Sequence, residues 1–311
     1  MREGLTRASL HGVWAAVPTP FDANGRFAPG VLRENVRRLH AAGVHGVYTT
    51  DSDGEFYAIE LDEFREIADT LADEALRLGL PTQMGVTWCN TEGMLARLRH
   101  AARVGILGAH VGHPFFMPMT RDSYRAFWDD VAAAVPPGFA LIHYNTPRVH
   151  NYQRGADYAV LQARIPALVG TKHVGVDVTE FQDLMARAPE LSHFAHEQVM
   201  TSYMMLGARG IYSWFANVNP RYLLDWYDDV RACNWDKARH RQERMSVFIE
   251  CKEVLRHGNL HGIVNKAVGA AFPFLLEASR TRRPYLPVPP ETIARFRRLV
   301  EERCPDLIPT L

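Results

Sequence analysis

Of the 35 basic side chains in this chain, only Lys172, Lys237, Lys252 and Lys266 are lysines; the others are arginines. Lys172 is the sole lysine before Lys237, and it ends the apolar run Ile165-Pro-Ala-Leu-Val-Gly-Thr-Lys172. Arginine keeps its proton under ordinary conditions, whereas a lysine with an apolar surround can lose its proton and attack a carbonyl. Lys172 therefore reads as a Schiff-base nucleophile, or else as a strand-end lysine whose ammonium reaches water. Tyr144 ends the preceding apolar run. Carbinolamine formation and collapse need a proton shuttle at the carbonyl oxygen, which a phenol on a neighbouring strand supplies. The alternative is a core tyrosine with its hydroxyl satisfied by backbone. Asp51-Ser52-Asp53-Gly54-Glu55 precedes a helix, where backbone N–H groups can hold a carboxylate; the plainer reading is an acidic turn that caps the helix. His143, His173, His196-Glu197 and Tyr212-Ser213 complete the polar residues at run ends.

These residues need a scaffold that brings run ends together. Short β-like runs, at 13–17, 46–50, 82–87, 108–112, 140–144, 168–172, 192–196 and 210–214, alternate with amphipathic helical patterns at 30–42, 61–78, 91–104, 121–134, 155–164, 179–187 and 199–206. Strands alternating with helices in this way predict a (β/α)8 TIM barrel, whose active site lies at the C-terminal ends of its strands. A doubly wound sheet is the alternative, but Thr19-Pro-Phe-Asp follows the first strand where a glycine fingerprint would stand. The barrel is placed at residues 1–218. Residues 219–311 form a C-terminal helical region packed on it, with helices at 221–232, 235–257, 262–278 and 291–302 and a proline-rich passage, Arg283-Pro-Tyr-Leu-Pro-Val-Pro-Pro290.

The 311 residues are 47% hydrophobic and carry zero formal net charge. Ample core material and no basic excess argue against nucleic acid or an anionic membrane as partner. Without an apolar leader or a run long enough to span a bilayer, the chain is expected in the cytoplasm. Cys89, Cys233, Cys251 and Cys304 have no paired spacing, which predicts free thiols.

Pro18-Thr-Pro-Phe21, Gly43-Val-His-Gly46, Gly54-Glu55, Asn90-Thr-Glu92, Tyr144-Asn-Thr-Pro147, Gly170-Thr-Lys172 and Leu206-Gly-Ala-Arg-Gly-Ile-Tyr-Ser213, followed by Ala216-Asn-Val-Asn-Pro220, stand in an order that resembles the dihydrodipicolinate synthase/N-acetylneuraminate lyase superfamily of class I, pyruvate-handling aldolases and dehydratases. The resemblance runs from about Gly12 to the C-terminal helices. It implies that Lys172 forms an imine with a 2-oxo acid such as pyruvate, that Tyr144 relays protons, that the loop at 51–55 binds the substrate carboxylate, and that the protein is a homotetramer built from two dimers.

The departures from that pattern bear on specificity. Where the family reads Gly-Thr-Thr-Gly-Glu, Ser52 keeps a relay hydroxyl but Asp53 replaces a threonine that bonds the carboxylate. Two negative charges about 4 Å apart cost about 4 kcal/mol at an effective dielectric near 20, so Asp53 is protonated, points away, or meets a different substrate. Phe115-Phe116 replace paired tyrosines, Val149 stands where the synthase has arginine with Arg148 one residue earlier, and Tyr212 replaces a small aliphatic residue. The expectation is a metal-independent lyase or aldolase, without cofactor beyond the imine on Lys172, acting on a 2-oxo acid and a bulky or aromatic aldehyde rather than a lysine-pathway synthase. Its catalytic residues are Lys172, Tyr144 and Ser52; Asp53, Gly54, Phe116, Arg148, Tyr212 and Ser213 bind substrate. Trp88, Phe115 and Trp214 are further candidates for an aromatic acceptor pocket. A 2-keto-3-deoxy sugar acid dehydratase or aldolase is the alternative, and a non-catalytic barrel kept for binding is another. A metal lyase would draw on His110, His113, His143, His173, His193 and His196, but if Tyr144 and Lys172 face inward, His143 and His173 face the helices.

Overall fold

The computed structural model describes residues 4–256, 258, 260–276 and 279–309. Eight parallel strands, β1 (Gly12–Ala16), β2 (Gly46–Thr49), β3 (Thr82–Gly85), β4 (Gly108–Val111), β5 (Ala140–Asn145), β6 (Leu168–His173), β7 (Ser192–Ala195) and β8 (Gly210–Ser213), close a barrel in sequence order. Closure is made where β8 pairs with β1, Trp14 beside Tyr212. The ring of helices is α1 (Pro29–Ala42), α2 (Leu61–Leu78), α3 (Thr91–Arg103), α4 (Arg121–Ala134), α5 (Gly155–Arg164), α6 (Val178–Arg187), α7 (Met200–Met205) and α8 (Pro220–Arg231). Three more follow: α9 (Trp235–Lys252), α10 (His261–Ala271) and α11 (Pro290–Arg303).

The helix starts were written in side chains that can accept a backbone N–H. Asn90 accepts from Gly93 at 2.8 Å, Asp177 from Glu180 at 2.8 Å and Asn219 from Tyr222 at 3.0 Å, each relieving a donor with no partner inside the helix. Gly43 and Gly79 close α1 and α2 with φ of 86° and 72°, a conformation a side chain would disfavour.

Every strand is buried on both faces, and the two faces hold different cores. Trp14, Ala16, Tyr48, Ala140, Ile142, Phe194 and Tyr212 fill the lumen; the opposite faces join the much larger shell between strands and helices. His143 and His173 belong to that shell. His143 meets the Tyr158 hydroxyl at 2.6 Å and His173 the Thr171 hydroxyl at 2.7 Å, so the alternation that turns Tyr144 and Lys172 inward does turn these histidines outward.

Two expectations for the C-terminal region change. The helix predicted to run from Gly262 to Ala278 stops at Ala271, because Pro273 cannot continue it and forces Phe272 out of the helical region, to φ −134° and ψ 82°. The helix predicted over 235–257 ends at Lys252, with a 3-10 turn at Glu253–Leu255. The expected end points His257 and Ala278 themselves lie outside the described residues. In addition α8 packs on β1 beside α1 as the eighth helix of the ring, so a division at 218/219 falls within the last βα unit.

Candidate active site

Parallel pairing sets Tyr144 of β5 beside Lys172 of β6, and both point into the lumen. The ammonium nitrogen of Lys172 lies 4.3 Å from the centres of the Tyr144 and Tyr48 rings and 3.2 Å from the Tyr48 hydroxyl. The Tyr144 hydroxyl in turn is 3.1 Å from Ser52 Oγ. The amine, the phenol and the relay hydroxyl proposed from sequence are thus brought together.

Lys172 does not have the apolar surround expected of it. Asp51 Oδ2 lies 2.6 Å from its nitrogen. Burial alone would lower the lysine's pKa, but the Asp51 carboxylate, helped by Tyr144 and Asp53, outweighs it and holds the amine above its ordinary value. The effect is reciprocal: burial would raise Asp51, yet Lys172 and His110 hold it low. The resting pair is ammonium and carboxylate.

Beneath this pair lies a polar layer that the sequence did not reveal. His110 Nδ1 meets Asp51 Oδ2 at 2.6 Å, its Nε2 meets the Gln83 side-chain amide at 2.6 Å, and the Tyr212 hydroxyl lies 2.9 Å from the same Gln83 atom. Burial pushes His110 below its ordinary value. A neutral ring donates through Nδ1 to Asp51 and accepts at Nε2, which asks Gln83 to present its NH2 group there. Gly85 makes the layer possible, since a Cβ at that position would stand 2.2 Å from Asp51 Oδ1.

The loop after β2 is a 3-10 turn, Ser52–Gly54, flanked by two non-glycine residues in the left-handed region, Thr50 (φ 58°) and Glu55 (φ 53°). Such residues are unfavourable alone and need support. It comes from the C-terminal helices, through lysines. Lys266 of α10 pairs with Glu55 and donates to the carbonyls of Thr19 and Arg280 at 2.9 and 2.8 Å. Lys252 of α9 bonds Asn265, whose amide donates to Asp53 Oδ1 at 2.6 Å. Gly262 lets α10 approach, because a Cβ there would meet the Ser52 carbonyl at 2.2 Å. Each acidic residue of the loop is therefore matched to a buried lysine, directly or through Asn265.

Asp53 lines the cavity that holds Lys172, and burial raises its pKa against the pull of Lys172, Asn265 and Lys252; its carboxylate turns toward α10, where it accepts from Asn265. Lys252, over the Trp214 ring at 3.3 Å, is pushed down to about 7 by burial.

Two cavities meet at Ser52, Tyr144 and His261. One, about 200 Å³, is apolar and lined by Phe56, Tyr57, Phe115, Val149 and Leu260, with Arg148 among its walls. The other, about 420 Å³, holds Lys172 with Asp53, Asp177, His196, Glu197, Tyr212 and Trp214. A larger hollow of about 650 Å³ opens at the opposite end of the barrel among residues 5–8, 135–139 and 165–169; its one charged side chain, Arg7, is committed to the carbonyls of Gln162 and Leu168, so it offers no proton-moving group. The chemistry belongs to the smaller pair.

Several expected binding residues are elsewhere. Phe116 is 77% exposed; Phe115 is the one that turns inward, onto Phe56 at 5.7 Å between ring centres. Ser213 follows the inward Tyr212 and so points outward, to the Glu197 carboxylate. Gly54 spends its N–H on the Asp51 carbonyl at 3.0 Å and accepts from Thr19 at 2.7 Å, leaving it no donor for a substrate. Trp88 lies under the Arg97 guanidinium, 3.5 Å away. Arg148, Asp53, Tyr212, Phe115 and Trp214 do line the cavities. Among the described residues no group of three or more His, Cys, Asp or Glu side chains is placed to hold a metal ion, and no helix is long and apolar enough to cross a membrane.

Residues 9–303 match the model of the dihydrodipicolinate synthetase family. The chain belongs to that family. It is 29% identical over 261 residues, 84% of each chain, to an uncharacterized DapA-like lyase of Halobacterium salinarum. It is 28% identical over 200 residues, 62% of this chain and 59% of the other, to a trans-O-hydroxybenzylidenepyruvate hydratase-aldolase of Pseudomonas aeruginosa. In structure it is similar to a prophage protein of the dihydrodipicolinic acid synthase family from E. coli K12, solved in complex with pyruvate, with a TM-score of 0.86 and 19% identity over 94% of this chain and 98% of that one. The family's members are lyases and aldolases.

Proposed function

We propose that this protein is a Schiff-base lyase or aldolase that joins or cleaves a 2-oxo acid and an aldehyde, through a covalent imine on Lys172 and without metal or other cofactor. One observation carries the reading: the Lys172 amine faces a cavity beside Tyr144, whose hydroxyl touches Ser52 at 3.1 Å. Attack of the amine on the 2-oxo carbon gives a carbinolamine, and loss of water gives an iminium. Loss of a proton from C3 then gives an enamine able to add to an aldehyde, or, in reverse, cleavage releases one. Tyr144 and Ser52 move the protons. Arg148, in the loop after β5 and in the wall of the apolar cavity, is the cation offered to a substrate carboxylate.

The aldehyde's substituent fits the apolar cavity. Phe56, Tyr57 and Phe115 provide edges and faces for an aromatic ring, which supports a bulky or aromatic aldehyde rather than aspartate semialdehyde. The second cavity favours another reading: Asp53, Asp177, His196 and Glu197 suit the hydroxyls of a 2-keto-3-deoxy sugar acid. Reaction of the protein with pyruvate and borohydride tests the shared chemistry. The expected result is a reduced adduct on Lys172, found by peptide mass; no adduct with pyruvate or a larger 2-oxo acid overturns the proposal. Competition by benzaldehyde-like against polyhydroxy aldehydes for the preformed enamine separates the two substrate classes.

A further inference from the structure

Asp51 has no role in the mechanism so far, and it is the residue nearest the reacting nitrogen. Its Oδ2 receives both Lys172 and His110 at 2.6 Å. Its Oδ1 is buried and accepts no hydrogen bond among the described residues, an arrangement that calls for an explanation in a group already fully buried. The side chain is held in place rather than free to turn away: Gly85 leaves just the space it occupies, and Thr50, the residue before it, donates to the Gly85 carbonyl at 2.8 Å. The groups facing the pair from other elements are His110 on β4, Tyr48 on β2, Tyr144 on β5, Tyr212 on β8 and Asp53 on the loop. Among the described residues Asp51 alone is both acidic and within hydrogen-bond reach of the Lys172 nitrogen.

We propose that Asp51 is a catalytic residue that takes the proton Lys172 must lose and returns it to the oxygen that departs as water. This rests on the imine reading above. One proton passes from the Lys172 ammonium to Asp51 Oδ2, leaving a neutral amine and a carboxylic acid. The amine's lone pair bonds to C2 of the 2-oxo acid, and the C=O π pair moves to oxygen. A second proton passes from the now positive nitrogen to that oxygen through the Tyr144 and Ser52 hydroxyls, giving a neutral carbinolamine. Asp51 protonates the hydroxyl, the nitrogen lone pair expels water, and the iminium forms beside a carboxylate restored to its charge. Ammonium and ketone have become iminium and water, with one positive charge before and after. His110, donating to the same oxygen, holds the carboxylate toward the nitrogen throughout and is a positioning residue.

The measurement is the rate of borohydride trapping with pyruvate as a function of pH, in the wild type, Asp51→Asn and Asp51→Ala, with thermal unfolding as a check on folding. Because the proton is passed within the pair, the wild-type rate is expected to be flat across the neutral range. Asp51→Asn is expected to trap at least about tenfold more slowly at neutral pH and to speed up as pH rises, since its lysine must lose its proton to solvent. Asp51→Ala, which leaves a hole, is expected to regain rate with added formate. Wild-type speed in Asp51→Asn overturns the inference, as does a slow variant showing neither the pH dependence nor the formate rescue. A wild-type rate that climbs with pH as that of an isolated amine would also overturns it, whether or not the variants fold. No adduct in the wild type sinks the imine reading, and this inference with it; an adduct in the wild type with an unaltered Asp51→Asn sinks this inference alone.

Discussion

Lys172 and Lys266 are both buried, and both are paired with a carboxylate of the same five-residue loop. Their surroundings separate them. Lys266 has its three donors consumed by Glu55 and by two backbone carbonyls, and it lines neither of the two site cavities. Burial even lowers its pKa, which by itself would make it look the more reactive of the two. Lys172 is held above its ordinary value, yet it faces a cavity and has two hydroxyls in series beside it. A buried lysine becomes a nucleophile when it has access and a route for its proton, and a low pKa supplies neither. The same carboxylate–ammonium pairing serves as a structural bolt at one end of the loop and as reactive machinery at the other.

The sharpest way to break this comparison is to remove each amine. Lys172→Ala is expected to lose the pyruvate adduct and turnover completely, as read by peptide mass and product formation; full activity in that variant would take the lysine out of the mechanism. Lys266→Met leaves Glu55 buried without its partner, and a loss of about 3–5 kcal/mol in denaturant unfolding is expected, with the folded protein still trapping pyruvate. If Lys266→Met lost the adduct while remaining folded, the division between the two lysines would fail.

Smaller changes sharpen it. Tyr144→Phe removes one hydroxyl of the proton route and is expected to slow turnover by roughly tenfold or more without loss of stability. Asp53→Asn keeps an acceptor for Asn265 and deletes a negative charge from the cavity; the pyruvate concentration at half-maximal trapping should fall by a few fold, on the order expected for relief of a like-charge contact in a partly screened site. The smallest effect concerns enclosed groups that carry stability and no chemistry. Burial pushes His113 and His193 down to about 4, against about 6.5 in an unfolded chain. A folded value below the unfolded one means their contribution is complete above about pH 6.5 and drains away as pH falls toward 4. His143 and His173, lowered in the same direction, add to it. The unfolding midpoint should therefore drop between neutral pH and about 4.5 more steeply in the wild type than in His113→Asn or His193→Asn.

The barrel was legible because its strands and helices repeat at a regular pace with capping residues at the helix starts, and because strand ends converge in such a fold. Lys172 and Tyr144 could be chosen from that rule, and Ser52 from the family resemblance. Asp51 was hidden in plain view: in a run reading Asp-Ser-Asp-Gly-Glu, attention falls on the residue that departs from a carboxylate cradle, Asp53, and not on the one at the family's glycine. Gln83 and Tyr48 were hidden, and His110 was weighed only as a metal ligand, for a different reason. Strands buried on both faces lack the alternation that marks which residues look inward. Phe116 and Ser213 were chosen for their neighbours' sake, and a one-residue step along a loop or a strand was enough to turn each away from the cavity. Lys252, Asn265 and Lys266 could be tied to the loop only in three dimensions, since more than 200 residues of chain separate Asn265 from Asp53.

The inward placement of Lys172, Lys252 and Lys266 leaves Lys237, exposed on α9, as the one surface lysine. Acylating dyes and cross-linkers too bulky to enter the cavities would then modify the native molecule's lysines at a single helix position. Modification of Lys252 or Lys266 in such an experiment would act as a timer for the opening of the barrel's top, reporting which of these two enclosed amines first meets solvent.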